Sequence, residues 1–584
     1  IISYETASPH DLWRNRITFV GDDGKTTSSD DGDQYTQAMD DLASTYTPNN
    51  FEKQKIYSIV YPTATTGAGR RKPAVNAAID QAINDGTLII NYDGHGSPQL
   101  WSYESIFTQT EDLPLLTNKN RLTFVMTATC DYAHYDNPTD LSAGEQLLTM
   151  DQGGAAGVFS STRAVYYGDN EALNQSFYSY LFPGDSVYQQ TPRLGDILWS
   201  AKQETTDPDP TSQRYINNMK YTLFADPTMR LVAPQGKLQI DSIDGTAALN
   251  VVSVKSLAVP RVSGTVKQAD GSIDTALIQM FGPKQTIAVT DADSLWVGFS
   301  FVKDGPILYQ GEIPVVNGKF SGMIPIPKDV SFGNQARISV YGWGSQSDVI
   351  GFTDSVKISG VDTTVAVDTV GPAMTIALDG AQAYDGMEVQ PNATLQIKLD
   401  DSSGINSASL GIGHNITATL TNPDAIVNLS TYYRSDLGTY KHGTVTYEFN
   451  NLTEGRHELT VKAWDIQNNS SEKAIYFEVH APDDAGIYQV YNFPNPFSRE
   501  TNFTFQRNSN SPIDVDIRIY SIAGRLIETL SIPNVTDRFV KIPWNGRDKD
   551  GSAIANGVYL YKLIVHTQDR KNSNEIIGKL AVIR

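Results

Sequence analysis

The sequence predicts an α/β unit with a doubly wound, mostly parallel sheet over residues 1–232, followed by all-β sandwiches to the end of the chain. Three observations predict it. Short runs rich in Ile, Val, Leu and Phe alternate with helical periodicities up to Val232, the pattern of strands covered on both faces by crossover helices. Beyond Gly236 the helical periodicity stops, and short Val/Ile/Tyr runs recur between Gly, Asp, Asn and Pro turns, as in antiparallel sandwiches. A polar linker, Ala481–Gly486, then sets off a last block of alternating strands and Asn/Asp-Gly turns.

Within the α/β unit, Ile17–Val20 and Lys55–Val60 read as buried strands, with helices over Asp33–Tyr46 and Pro73–Asp85. The pair Lys72-Pro73 puts proline at a helix start, where its missing N–H costs nothing. Leu88–Tyr92 and Leu122–Thr127 are the next strands, then a helix over Ser142–Asp151, a strand over Ala155–Phe159, and helices over Glu171–Phe182 and Thr191–Glu204. The β-region divides into a sandwich over 233–365, containing SGTVKQADGSIDTALIQMFG, and an immunoglobulin-like one over 366–481 after the Asp368–Pro372 hinge. The final unit is 482–584.

Composition bounds the function. The 584 residues suit about three to five domains, and a net charge of −21 with no Lys/Arg stripe excludes a nucleic-acid partner. A single cysteine excludes an internal disulfide framework. The chain has no initiator Met, no signal peptide and no apolar run of membrane-spanning length, so it is expected to be a piece of a longer exported protein with the export signal upstream of Ile1.

The chemistry concentrates in Thr87–Cys130, where TLIINYDGHG and RLTFVMTATC each end a buried strand on a reactive side chain. Ligands bind beyond the carboxyl ends of strands in such sheets, so neighbouring strands would bring His95 and Cys130 into one crevice. A thiol needs a nearby base to become thiolate at neutral pH. Gly94 and Gly96 permit close backbone approach, and the N–H groups of Gly96 and Cys130 are candidates for an oxyanion hole. The plain alternative is an inert core cysteine and a structural histidine. His134 is a second candidate base, and Asp93 is read as shaping its turn. Ser160–Arg163 ends a third strand and should flank the same crevice, with Ser161 a candidate wall of the substrate pocket. In Gly21–Gln34, Asp22, Asp23 and Asp31 are weak calcium candidates beside Asp30 and Asp33, against the alternative of a solvated acidic loop. Asp548 and Asp550 read as a hairpin turn rather than a metal site.

Several motifs together, NYDGHG, TATC, GGAAGVFSSTR and LFADP, resemble in order and spacing the gingipain-type cysteine peptidases of family C25. The resemblance implies a caspase-like fold for residues 1–232 with its N-terminal part missing, Cys130 as nucleophile forming an acyl-enzyme, and His95 as the base that protonates the leaving amine. It implies that the carboxylate orienting His95 lies upstream of Ile1. Tyr166 or Tyr167 falls where the arginine-specific members line their specificity pocket. No cofactor is required, although related peptidases bind calcium. YNFPNPFSRETNFTF, IYSIAGRLI and PWNGRDKDGSAIANGVYLYKLIV resemble the C-terminal sorting domain of type IX secretion. The combination implies a sortase of the outer membrane and cell surface that removes such domains from secreted cargo and joins the cargo to anionic lipopolysaccharide. Its implied partners are an outer-membrane β-barrel shuttle of the PorV type and further attachment-complex subunits. The alternatives are a secreted gingipain-like protease whose own C-terminal domain is a cargo signal, and a non-catalytic surface adhesin or scaffold.

Overall fold

The computed structural model describes residues 2–7, 10–26, 29–67, 69–184, 191–269, 272–290, 297–408, 413–479, 486–507, 511–568 and 573–584. The N-terminal region is built on a six-stranded sheet of β1 (Arg16–Gly21), β2 (Glu52–Tyr57), β3 (Ile89–Asp93), β4 (Thr123–Ala128), β5 (Ala155–Ser161) and β6 (Tyr221–Phe224), in the order β6-β5-β4-β3-β1-β2. All neighbours are parallel except the β5/β6 pair.

Side-chain alternation decides what each face buries. Val20, Ile90, Tyr92, Val125 and Val158 meet Val75, Ile79 and Ile83 of α2 (Pro73–Asp85) and Leu147 of α3 (Ala143–Thr149). Ile17, Phe19, Ile89, Phe124, Met126 and Phe159 meet Met39 of α1 (Gln34–Asp41), Leu173 and Phe177 of α4 (Tyr167–Leu181), and Ile197 of α5 (Leu194–Thr205). Each such side chain contributes about 1.5–3 kcal/mol by leaving water. The helices therefore cover both faces, and every parallel strand ends on the same edge. The helix α6 (Gln213–Met219) leads into β6.

Several elements differ from the sequence reading, which includes no helix at α6. The second strand is Glu52–Tyr57 rather than Lys55–Val60, because an edge strand tolerates the polar run Lys53–Lys55. The helix expected from Glu171 starts at Tyr167, where Tyr and Gly are poor helix formers but tertiary packing overrides propensity. The short antiparallel β6 is too brief and too polar at its end to announce itself.

The exposed side of β2 is covered by a hairpin from the β-region, β7 (Gln285–Thr290) and β8 (Val297–Lys303). Phe301 packs edge-on to Tyr57 at 4.8 Å, Val289 and Phe301 join the core of the first region, and Lys55 Nζ donates to the Val302 carbonyl at 2.7 Å. Farther along, one sheet path crosses from the first β-block to the second through the pairing of Gly311 with Ser435, so the two share a sheet edge. The second block closes a core of Leu395, Ile397, Leu459 and Phe477 between that path and a five-stranded sheet. The last block packs three strands against four around Phe503, Ile517, Trp544 and Leu563. Of the expected linker, residues 481–485 lie outside the described residues.

Replacing Phe301 by Ala removes an aromatic ring shared by two regions and is expected to cost about 3–5 kcal/mol. Urea unfolding followed by tryptophan fluorescence should show the midpoint falling with the slope unchanged.

Candidate active site

The geometry at the carboxyl edge of the sheet follows from register. Gly21 of β1 pairs with Asp93 of β3, and Asp93 pairs with Ala128 of β4, so the segments leaving these strands emerge side by side. The ladder continues past the strand ends, with Asp22 N–H donating to the Asp93 carbonyl at 3.0 Å and Gly94 N–H to the Ala128 carbonyl at 3.4 Å.

Glycine is required where these segments converge. A Cβ on Gly94 would overlap Asp22, and one on Gly96 would overlap the Thr129 hydroxyl. The His95 turn thus rests directly against the residue preceding Cys130. Gly96 opens a short ladder with Trp101.

His95 is held from every side. Its backbone N–H donates to Asp22 Oδ2 at 2.9 Å, and its carbonyl accepts the Tyr92 hydroxyl at 2.5 Å and the Ser102 N–H at 2.8 Å. The ring Nε2 lies 2.9 Å from Asp31 Oδ2. Tyr35 donates to the same oxygen at 3.1 Å, stands edge-on to the imidazole at 5.5 Å, and packs in turn against Tyr167 at 5.4 Å.

The carboxylate on the His95 ring in this chain is Asp31, where the sequence reading placed the His-orienting acid upstream of Ile1. It sits in the loop between β1 and α1, and because β1 neighbours β3 that loop opens beside the His95 turn. The available signal was the loop's position at a strand carboxyl end, but five aspartates between Asp22 and Asp33 left the choice open.

Cys130 is half-buried and is the only cysteine. The Val165 N–H donates to its sulfur at 3.4 Å, and its thiol faces the Val165 carbonyl at 3.8 Å. Burial raises the thiol pKa and the Val165 hydrogen bond opposes this, while Asp131 raises it and Lys220 lowers it further. The residue after it, Asp131, has φ +59°, a left-handed conformation that side chains other than glycine disfavour. Ser161 stabilises that bend, donating to the Thr129 carbonyl at 2.5 Å and accepting the Asp131 N–H at 3.2 Å. Ser161 is therefore buried and braces both sides of Cys130, which corrects its reading as a pocket wall.

The two tyrosines separate. Tyr166 is exposed beside the Val165 segment, whereas Tyr167 faces inward on Tyr35. His134 lies on an outer loop against Asp136, which also pairs with Arg163. Asp93 does not shape its turn through its side chain: strand alternation turns it under the sheet edge, where both oxygens are without a hydrogen-bond partner among the described residues. Burial, then Glu171 and Asp22, push its carboxyl far above the usual range.

Of the calcium candidates, Asp31 is engaged by His95, while Asp22 and Asp23 gather with Glu104, a residue not singled out from the sequence. Each of their six oxygens accepts a hydrogen bond or ion pair within the chain. Arg70 bridges Asp23 and Glu104 at 3.2 and 2.7 Å, and Lys72 lies 3.2 Å from Asp23. Asp22 and Asp23 accept the N–H groups of Asp23, His95 and Lys25, and Ser102 donates to Glu104 at 2.6 Å. Asp368, Asp401 and Asp465 form a second carboxylate group in the β-region. Asp548 accepts the Asp550 and Ser552 N–H groups, as a turn residue does.

Burial, then the neighbouring Asp23, raise the Asp22 carboxyl from 3.8 to about 7. The folded state thus holds a proton that the unfolded chain releases, and stability drawn from this group is lost as pH rises from 3.8 toward about 7. Asp22→Asn keeps an acceptor for the His95 N–H and removes the charge. Its melting temperature should fall less than the parent's over that pH window, as read by calorimetry.

Residues 1–232 match the family model described as Peptidase family C25. Among solved structures, dimeric latent PorU from Porphyromonas gingivalis is 25% identical with a TM-score of 0.28, over 74% of this chain and 41% of that one. The Arg specific cysteine proteinase gingipain R is 17% identical with a TM-score of 0.32, over 61% of this chain and 70% of that one. The complex of Porphyromonas gingivalis RgpB pro- and mature domains is 16% identical with the same TM-score, over 61% of this chain and 72% of that one. The chain thus spans less than half the length of the PorU structure it matches. No curated protein sequence matches it.

Proposed function

We propose that this chain, whose first 232 residues are a cysteine peptidase domain of family C25, is a cell-surface sortase of the PorU type that removes C-terminal sorting domains from secreted proteins and transfers the cargo to an amine of anionic lipopolysaccharide. The observation that carries the catalytic part is His95, whose ring Nε2 is taken by Asp31 at 2.9 Å while its turn abuts the Cys130 segment. That leaves Nδ1 for the thiol. Asp31 fixes the ring and stabilises the imidazolium that forms when His95 takes the thiol proton. The thiolate attacks the scissile carbonyl, the oxyanion is received by backbone N–H groups at Gly96 and Cys130, and His95 protonates the departing amine. An acceptor amine then attacks the acyl-enzyme, with His95 taking its proton, and the thiolate is released. Water completes the same step as hydrolysis.

The transfer step, the acceptor and the outer-membrane partners rest on the sorting-type motifs FPNPF, WNGRD and GVYLYK beyond residue 482, which resemble the terminal domain of type IX secretion proteins. By the same resemblance, docking of the chain at the cell surface would use a β-barrel shuttle.

Asp31→Asn should lower kcat/KM by about a hundredfold or more with peptide substrates, while leaving the melting temperature near that of the parent. Cys130→Ala separates the cellular readings. In cells carrying it, exported proteins should retain their sorting domains and fail to reach the surface. Normal processing of other cargo would overturn the sortase role and leave a secreted peptidase, and an unreactive Cys130 toward an acylating probe would favour a scaffold.

A further inference from the structure

The sulfur of Cys130 is gripped by a loop that is itself gripped from behind. Val165, whose N–H meets the sulfur at 3.4 Å, lies between Ala164 and Tyr166. The end of α6 secures that loop. The Lys220 ammonium donates to the Ala164 carbonyl at 2.5 Å and sits over the Tyr166 ring at 5.2 Å. The Lys220 carbonyl accepts both the N–H and the hydroxyl of Thr162, at 2.9 and 3.0 Å. Asn217 accepts the Tyr166 N–H at 2.8 Å. To these backbone and Asn217 bonds the lysine side chain adds a cation on the residue that precedes Val165.

We propose that Lys220 is a positioning residue for the nucleophile: by clamping the Ala164 carbonyl it keeps the Val165 N–H on the Cys130 sulfur, and its charge favours the thiolate. The assignment rests on Cys130 acting as the nucleophile. A hydrogen bond to an ionised acceptor is about twice as strong as one between neutral groups, so holding the Val165 donor in place rewards the thiolate over the thiol. The charged and titratable groups that act on the sulfur are Asp131 on its own segment, and Lys220 and Tyr221 from the β6 side. Among them Lys220 opposes Asp131.

With one cysteine in the chain, the pH dependence of iodoacetamide alkylation of this 584-residue chain reports on Cys130 directly, without a substrate. In Lys220→Met the alkylation midpoint should move up by about one pH unit, slowing the reaction roughly tenfold at neutral pH, and Lys220→Arg should restore most of it. The Val165 amide should also exchange faster in Lys220→Met. A wild-type midpoint in Lys220→Met overturns the proposal. Should that variant melt early, Lys220→Gln, which keeps a donor for Ala164 without the charge, supplies the comparison, and a wild-type midpoint there overturns the role of the charge. Retained peptidase activity in Cys130→Ala would instead overturn the nucleophile assignment and leave the alkylation result standing as a property of the thiol.

Discussion

The site depends on one buried contact, the acceptance of the His95 backbone N–H by Asp22. Asp22 follows β1 and His95 follows β3, and the two strands are neighbours in parallel register. The carboxylate therefore ties two strand ends together at the point where the sheet's own hydrogen bonds stop. It is wholly buried and opposed by Asp23, an arrangement that destabilises the charged form. Its compensation comes from backbone N–H donors and, one residue on, from Arg70 and Lys72 around Asp23. With that contact in place the chain between Asp22 and α1 returns past His95, and Asp31 reaches the imidazole.

A matching brace exists on the cysteine side. Ser161, at the end of β5, joins the carbonyl before Cys130 to the N–H after it, so the unfavourable backbone of Asp131 is over-determined by a buried hydroxyl. His95 and Cys130 are thus each braced by a residue from the end of an adjacent strand, Asp22 and Ser161. The strands beneath these loops are packed on both faces.

The β-region acts on this domain from its far edge. The hairpin carrying Phe301 covers β2, and Arg14 is paired with Asp348 at 3.1 Å across the same junction. β2 is an otherwise open strand edge, and edges left open invite pairing with other chains. Covering it makes the α/β unit and the first β-block parts of one packed body.

Much was legible without coordinates. Continuous apolar runs marked the buried strands, and their ends marked the sheet edge at which His95 and Cys130 emerge, because local composition records burial and strand direction. Burial alone did not reveal the purpose of a polar side chain. Ser161 read as a wall and proved a brace, Asp93 read as a turn former and proved a buried acid, and Asp31 was hidden among similar aspartates. In each case the deciding fact is which group from another strand stands opposite. The sequence by itself determined the periodicity of the buried parallel strands and most of the helices that cover them, since those follow from backbone and side-chain chemistry along the chain. Only the tertiary structure decided which aspartate meets His95 and which loop holds Cys130. Those pairings depend on strand order and register, and neighbours in space here lie tens of residues apart in sequence.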